Sequence, residues 1–300
     1  MEETASGRSL ASVVTKVINV LICADSRGAG LQDLITEARL NALGNTSQIK
    51  VKVVIEVRGG AKIQELIDLA VARSNAHKCD FCIVIGGICN LTERHREDRK
   101  QFLTYTDREK PHAVRAAIDR YINSSNIKIY FASITPASIL KHYTHYNRGE
   151  KPYQENLVKE QQENLIADCT ELNNYIKAKN DEQQLPTLSL AGLTFISKRK
   201  RDHRTRKLKT LYRFNDRHLY DGVHLDAELK QLWVTSILKF IDKIIKINNT
   251  PGESGEEEHT DSQSDEPGQP GTSHPPLQST DSSESGGENP NFKRRRVNTN

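Results

Sequence analysis

No apolar run in this 300-residue chain approaches the roughly twenty residues needed to cross a bilayer. Its first residues, MEETASGRSLASVV, lack the basic stretch followed by an apolar one that marks a secretory leader. Aromatic residues make up only 6% of the chain, with one Trp and one Met, and the apolar fraction of 36% is low for a single globular body. Cysteine is scarce and odd in number: Cys23, Cys79, Cys82, Cys89 and Cys169. This argues for reduced thiols and an intracellular protein, cytoplasmic or nuclear, rather than a disulfide scaffold. Cys79 and Cys82 form a CxxC, a spacing found in metal and redox sites. At a strand start, an offset of three sends the two side chains to opposite faces, which favours structural thiols.

Charge is unevenly spread. The net charge is +4, but residues 249–300 hold 10 acidic and 4 basic residues, leaving 39 basic and 29 acidic in the rest. From 248 the chain is rich in Pro, Gly, Ser and Glu and poor in core formers. Such a segment cannot offset its ordering entropy, so 248–300 is expected to be a disordered acidic tail. It closes on the basic cluster Lys293–Arg296, a pattern used by nuclear-import signals and also common by chance. Residues 1–14 are expected to be disordered as well, which leaves 15–247 as one folding unit.

Within that unit, strands and helices alternate. KVINVLIC (16–23), KVKVVIEV (50–57), CDFCIVIGG (79–87) and IKIYFASI (127–134) read as strands, and TLSLAGLTFIS (187–197) contains a fifth. Helical spacing runs through 28–43, 61–75, 113–125, 154–179 and 226–245, the last with Trp233 and Phe240 turned inward. The polar segment 92–112 reads as a long loop. The pattern predicts a parallel sheet of about five strands with helices on both faces, and in such folds sites lie beyond the carboxyl ends of the strands.

Two strings carry the chemistry. Ala24-Asp25-Ser26 follows the first strand, and Asp221-Gly-Val-His224 precedes the last helix. A serine hydroxyl becomes nucleophilic when a base takes its proton, and an imidazole serves best when a carboxylate orients it. Each string also has a plain reading: Asp25 and Ser26 are good helix caps, and Asp221 can start the last helix.

The order and separation of these strings resemble the conserved blocks of the SGNH (GDSL-like) hydrolase superfamily, with Ala24 where that family has Gly. The resemblance implies a three-layer, flavodoxin-like α/β fold and a serine esterase or deacylase without metal or organic cofactor. Ser26 would be the nucleophile, His224 the base and Asp221 the group orienting it, acting on a small-molecule ester. In the family a glycine after the second strand lends its N–H to the oxyanion hole, and Gly60 in RGGAKIQEL (58–66) matches it, with Gly59 next. The third block departs from the pattern. Aligned on Gly86-Gly87 and Leu91, Cys89 falls where the family has its donor Asn, with Asn90 one place later. Either Asn90 reaches the oxyanion through a longer turn, alongside the N–H groups of Ser26 and Gly60, or that donor is gone.

Finally, positions 198–209 hold eight Lys or Arg, among them Lys198, Arg199, Lys200, Arg201, Arg204, Arg206 and Lys207, followed by Tyr212 and Phe214. Cations interspersed with aromatics suit a nucleic-acid backbone with stacked bases; a solvated loop is the plainer reading. The alternative function is therefore a catalytically weakened module of the same fold that binds nucleic acid or a protein partner. An SGNH-like module of some retroelements is the analogy.

Overall fold

The computed structural model describes residues 16–43, 49–97, 100–106, 109–124, 127–149, 152, 154–201 and 208–249. The chain divides into a unit Met1–Pro251 and a second, Gly252–Asn300. The second unit, the expected N-terminal disorder at 1–14, and the Lys293–Arg296 cluster lie outside the described residues.

In chain order the strands are β1 (Lys16–Ala24), β2 (Ile49–Val57), β3 (Phe81–Ile85), β4 (Thr92–Glu97), β5 (Lys100–Tyr105), β6 (Ile129–Phe131), β7 (Phe195–Arg201) and β8 (Leu208–Phe214). The helices are α1 (Glu37–Asn41), α2 (Ile63–His77), the single turn α3 (Ile88–Leu91), α4 (Lys110–Ser124), α5 (Ile139–Tyr146), α6 (Glu155–Glu182) and α7 (Ala227–Asn249). Four strands form the central parallel sheet, in the order β2-β1-β3-β6. This is a doubly wound α/β arrangement whose winding reverses between β1 and β3, the place where such sheets open a crevice.

The strands are apolar on both faces because both are covered. On one face Val20, Ile22, Ile83 and Ile85 pack with Trp233, Val234, Ile237 and Ile241 of α7. On the other, Leu21, Cys82, Val84 and Phe131 meet Leu66 and Ile67 of α2, Ile118 of α4, and Leu165 and Leu172 of α6. Trp233 and Phe240 are buried as expected. No described helix is long and apolar enough to cross a membrane.

Four sequence-based expectations are corrected. Residues 28–43 do not form one helix but two 3-10 turns, Ser26–Gly28 and Gln32–Leu34, followed by the short α1. Gly30 at φ +78° breaks the path, yet Leu31, Ile35 and Leu43 are still buried, which is what their spacing reported. The segment 92–112 is not a loop: β4 and β5 pair as an antiparallel ribbon that leads into α4. Its apolar inward residues, such as Leu103, are hidden among charges. The fifth strand is reduced to one parallel bridge, Ala132 to Leu188, so the sheet has four strands rather than about five. There the Ala191 N–H is taken by the Ser133 hydroxyl and the chain turns away through Ala191–Thr194. The basic segment after it is the β7–β8 hairpin, with 202–207 outside the described residues.

Cys79 lies ahead of β3, so the strand pleat does not govern its side chain, and it is half-buried while Cys82 is buried. All five cysteines are free. Burial pushes Cys23, Cys82 and Cys169 up to about 12, which keeps them protonated and unreactive.

Candidate active site

The carboxyl ends of β1, β2 and β3 present three turns at one edge of the sheet. After β1, Asp25 caps the 3-10 turn, its carboxylate accepting the Arg27 N–H at 2.9 Å. The capping role is thus filled by Asp25, and Ser26 is left half-buried with its hydroxyl available.

Before α7, a loop is closed on itself by Tyr220 N–H to the His224 carbonyl and Asp226 N–H to the His218 carbonyl. Asp226, whose carboxylate takes the Leu229 N–H at 2.8 Å, caps α7. Asp221 therefore has no capping duty there. Gly222 adopts φ +84° with its Cα against the Ser138 carbonyl and the His142 backbone, where any side chain would collide. That close packing holds the Asp221–His224 loop against the start of α5.

Asp221 is fully buried, and four hydrogen bonds converge on its carboxylate. Oδ1 accepts the N–H groups of Val223 (2.9 Å) and His224 (2.7 Å); Oδ2 accepts His224 Nδ1 (2.7 Å) and the Tyr146 hydroxyl (3.0 Å). Burial raises its pKa, but the His224 side chain and the two backbone donors outweigh burial and hold the carboxyl well below its ordinary range. An ionised Asp221 fixes the proton on Nδ1, which leaves His224 Nε2 as an acceptor for the Ser26 hydroxyl at 3.1 Å. Ser26, His224 and Asp221 thus come together in one hydrogen-bonded line.

The expected oxyanion residues lie on the turns after β2 and β3. Gly60 is exposed at the turn after β2 with φ +73°. Gly87, at φ +107°, lets the chain enter the single turn of α3, which carries Cys89 and Asn90. Asn90 is buried, and its Oδ1 accepts the Ile63 N–H at the start of α2 (2.9 Å), tying the third turn to the second. Its amide NH₂ is the remaining donor. Burial pushes the Cys89 thiol up to about 11, leaving it a weak donor at neutral pH.

The structure adds residues that the sequence did not single out. Arg27, adjacent to Ser26, is 3% exposed. Its guanidinium donates to the carbonyls of Val223 (3.1 Å), Thr135 and Pro136 (3.3 Å). Tyr146 and the buried His142 reach the centre from α5, and Tyr220 stacks on the His224 ring (centroids 5.9 Å apart, 27°). Desolvation lowers His142 to about 4. None of these carries a sequence signal, since each depends on a contact between segments far apart in the chain.

Lys198 and Arg199 are exposed on β7, and Lys200 and Arg201 continue that strand; Arg204, Arg206 and Lys207 lie outside the described residues. Among the described residues no group of three or more His, Cys, Asp or Glu could hold a metal ion.

No family model and no curated sequence matches the chain. Solved structures similar to it include a lipase/acylhydrolase from Enterococcus faecalis (17% identity, covering 76% of this chain and 96% of that one, TM-score 0.46). A GDSL-like lipase from Bacteroides thetaiotaomicron (13%, 77% and 88%, TM-score 0.42) and a family 3 carbohydrate esterase from Clostridium thermocellum (14%, 77% and 98%, TM-score 0.40) are also similar. At such identities and TM-scores the chemistry has to be argued from this chain's own residues.

Proposed function

We propose that this chain is a serine ester hydrolase of the SGNH type. The observation that carries the reading is the line Asp221 Oδ2–His224 Nδ1–His224 Nε2–Ser26 Oγ, with separations of 2.7 and 3.1 Å. His224 takes the Ser26 proton as the hydroxyl oxygen attacks the ester carbonyl. The imidazolium formed is stabilised by the Asp221 carboxylate. The N–H groups of Ser26 and Gly60 and the Asn90 amide NH₂ receive the developing oxyanion. His224 returns the proton to the leaving alcohol. It then takes one from water, which attacks the acyl-enzyme and releases the acid. A fluorophosphonate probe should label the wild-type protein and fail to label Ser26→Ala; absence of label from both would overturn the reading.

A second reading concerns the β7–β8 hairpin, which among the described residues forms a two-stranded sheet of its own. Phe195 and Phe214 pack together at its base, while Lys198, Arg199 and Arg213 are exposed and Tyr212 is 72% exposed. Cations beside an open aromatic ring favour a single-stranded nucleic acid as its partner.

A further inference from the structure

The catalytic pair has an open flank. Ser26 and His224 are half-buried, and Tyr220 beside them is 54% exposed. Its ring stacks offset on the His224 imidazole, with centroids 5.9 Å apart and planes inclined by 27°. The exposed His145 meets the Tyr220 ring edge to face at 5.7 Å, and the Tyr146 ring at 4.8 Å. Only the imidazole thus separates Tyr220 from the Ser26 hydroxyl, which His224 Nε2 reaches at 3.1 Å.

The loop itself fixes the ring there. Leu219 and Leu225 pair across the loop and are buried. Tyr220, the next residue, is turned outward, and its N–H donates to the His224 carbonyl at 2.9 Å. The Tyr220 hydroxyl has no partner among the described residues, so neighbouring rings hold the side chain rather than its polar end. An aromatic ring already held between two others loses little further freedom when a flat group lands on its open side, which makes it a preorganised binding surface.

The chemistry decides which part of an ester meets this ring. The substrate's carbonyl oxygen turns toward the oxyanion donors. Its alcohol oxygen has to lie against His224 Nε2, which protonates it as it leaves. Tyr220 belongs to the histidine's own loop and covers the imidazole, so it flanks the alcohol side. An alkyl alcohol would gain apolar contact there; an aromatic one can also stack.

We infer that Tyr220 is a specificity residue of this site and that it selects esters whose alcohol part carries an aromatic ring. The inference rests on the hydrolase reading, since it names the substrate class of that same site.

The test compares kcat/KM for benzyl acetate, its isomer methyl phenylacetate and the ring-free butyl acetate in wild type, Tyr220→Phe and Tyr220→Leu, with Ser26→Ala as blank. Benzyl acetate carries its ring on the alcohol side, methyl phenylacetate on the acyl side. In Tyr220→Leu the ratio of benzyl to butyl acetate should fall roughly two- to tenfold, the worth of one aromatic pair. Tyr220→Phe retains the ring and should retain most of that ratio. The ratio of methyl phenylacetate to butyl acetate should not follow. Equal losses on all three esters would reduce Tyr220 to a support for the imidazole and overturn the proposal, as would a loss confined to methyl phenylacetate. Absence of Ser26-dependent turnover in wild type overturns the hydrolase reading itself, and the role of Tyr220 with it.

Discussion

The Nε of Arg27 donates to the Val223 carbonyl at 3.1 Å, joining the residue that follows Ser26 to the one that precedes His224. With the bonds to Thr135 and Pro136, one side chain ties three separate segments into the wall behind the reacting pair. Removing it would leave three carbonyls without that donor. Arg27→Met should lower the unfolding free energy by about 3 kcal/mol, measured by urea titration of the fluorescence of the lone Trp233. In the fraction still folded, the rate of Ser26 phosphonylation should also fall. Loss of stability with an unchanged labelling rate would reduce Arg27 to a scaffold.

Asp221 and Tyr146 separate orientation from charge. Asp221→Asn keeps the shape but presents an amide to Nδ1, so the imidazole turns to the wrong tautomer. By analogy with serine proteases the labelling rate should drop by about 10⁴. Tyr146→Phe removes one of four donors to the carboxylate and should cost about tenfold. Equal losses in the two variants would contradict this division of roles.

Asn90 has two functions that one variant separates. Asn90→Asp retains an oxygen for the Ile63 N–H but has no NH₂ to offer an oxyanion. A carboxylate at this buried position lowers stability, so the reading is the phosphonylation rate of the folded fraction, which should slow about a hundredfold or more. If stability falls and the rate does not, the side chain serves only to fasten α2.

His142 and Asp221 set the acid limit. In the folded state His142 titrates near 4, below its ordinary 6.5, so its contribution is fully present above pH 6.5 and is lost as pH falls towards 4. Asp221 is held low and acts in the same direction, below the ordinary carboxylate range. Asp25, raised by burial, acts in the opposite sense. The unfolding free energy should therefore decline from pH 6.5 to 4, by up to about 3 kcal/mol from His142 alone. His142→Phe should flatten this slope; an unaltered slope would remove His142 from the account.

For the hairpin, binding of single-stranded RNA should weaken linearly in log K against log salt, and Lys198→Glu with Arg199→Glu should reduce the slope by about one to two. Tyr212→Ala should weaken binding at every salt concentration through lost stacking. A salt-independent affinity would set the nucleic-acid reading aside.

Periodicity and local composition sufficed for the four parallel strands, for α2, α4, α6 and α7, and for Ser26, Asp221 and His224 as the groups to watch, because each leaves a mark within a few residues of itself. The β4–β5 ribbon leaves no such mark because its apolar residues are outnumbered by charges. The β-propensity of Leu188 to Phe195 does not reveal that Ser133 takes the Ala191 N–H, which ends strand pairing there.

What the amino-acid order determined alone was the alternating α/β plan and the chemical types available at the strand ends. Only the tertiary structure decided that His224 Nε2 lies 3.1 Å from Ser26 Oγ, and that Arg27 and Tyr146 belong to the same neighbourhood. Those relations span tens to hundreds of positions. They exist because burying both faces of the sheet draws the β1 turn, the start of α5 and the 219–226 loop together, a long-range consequence of core packing that no local pattern records.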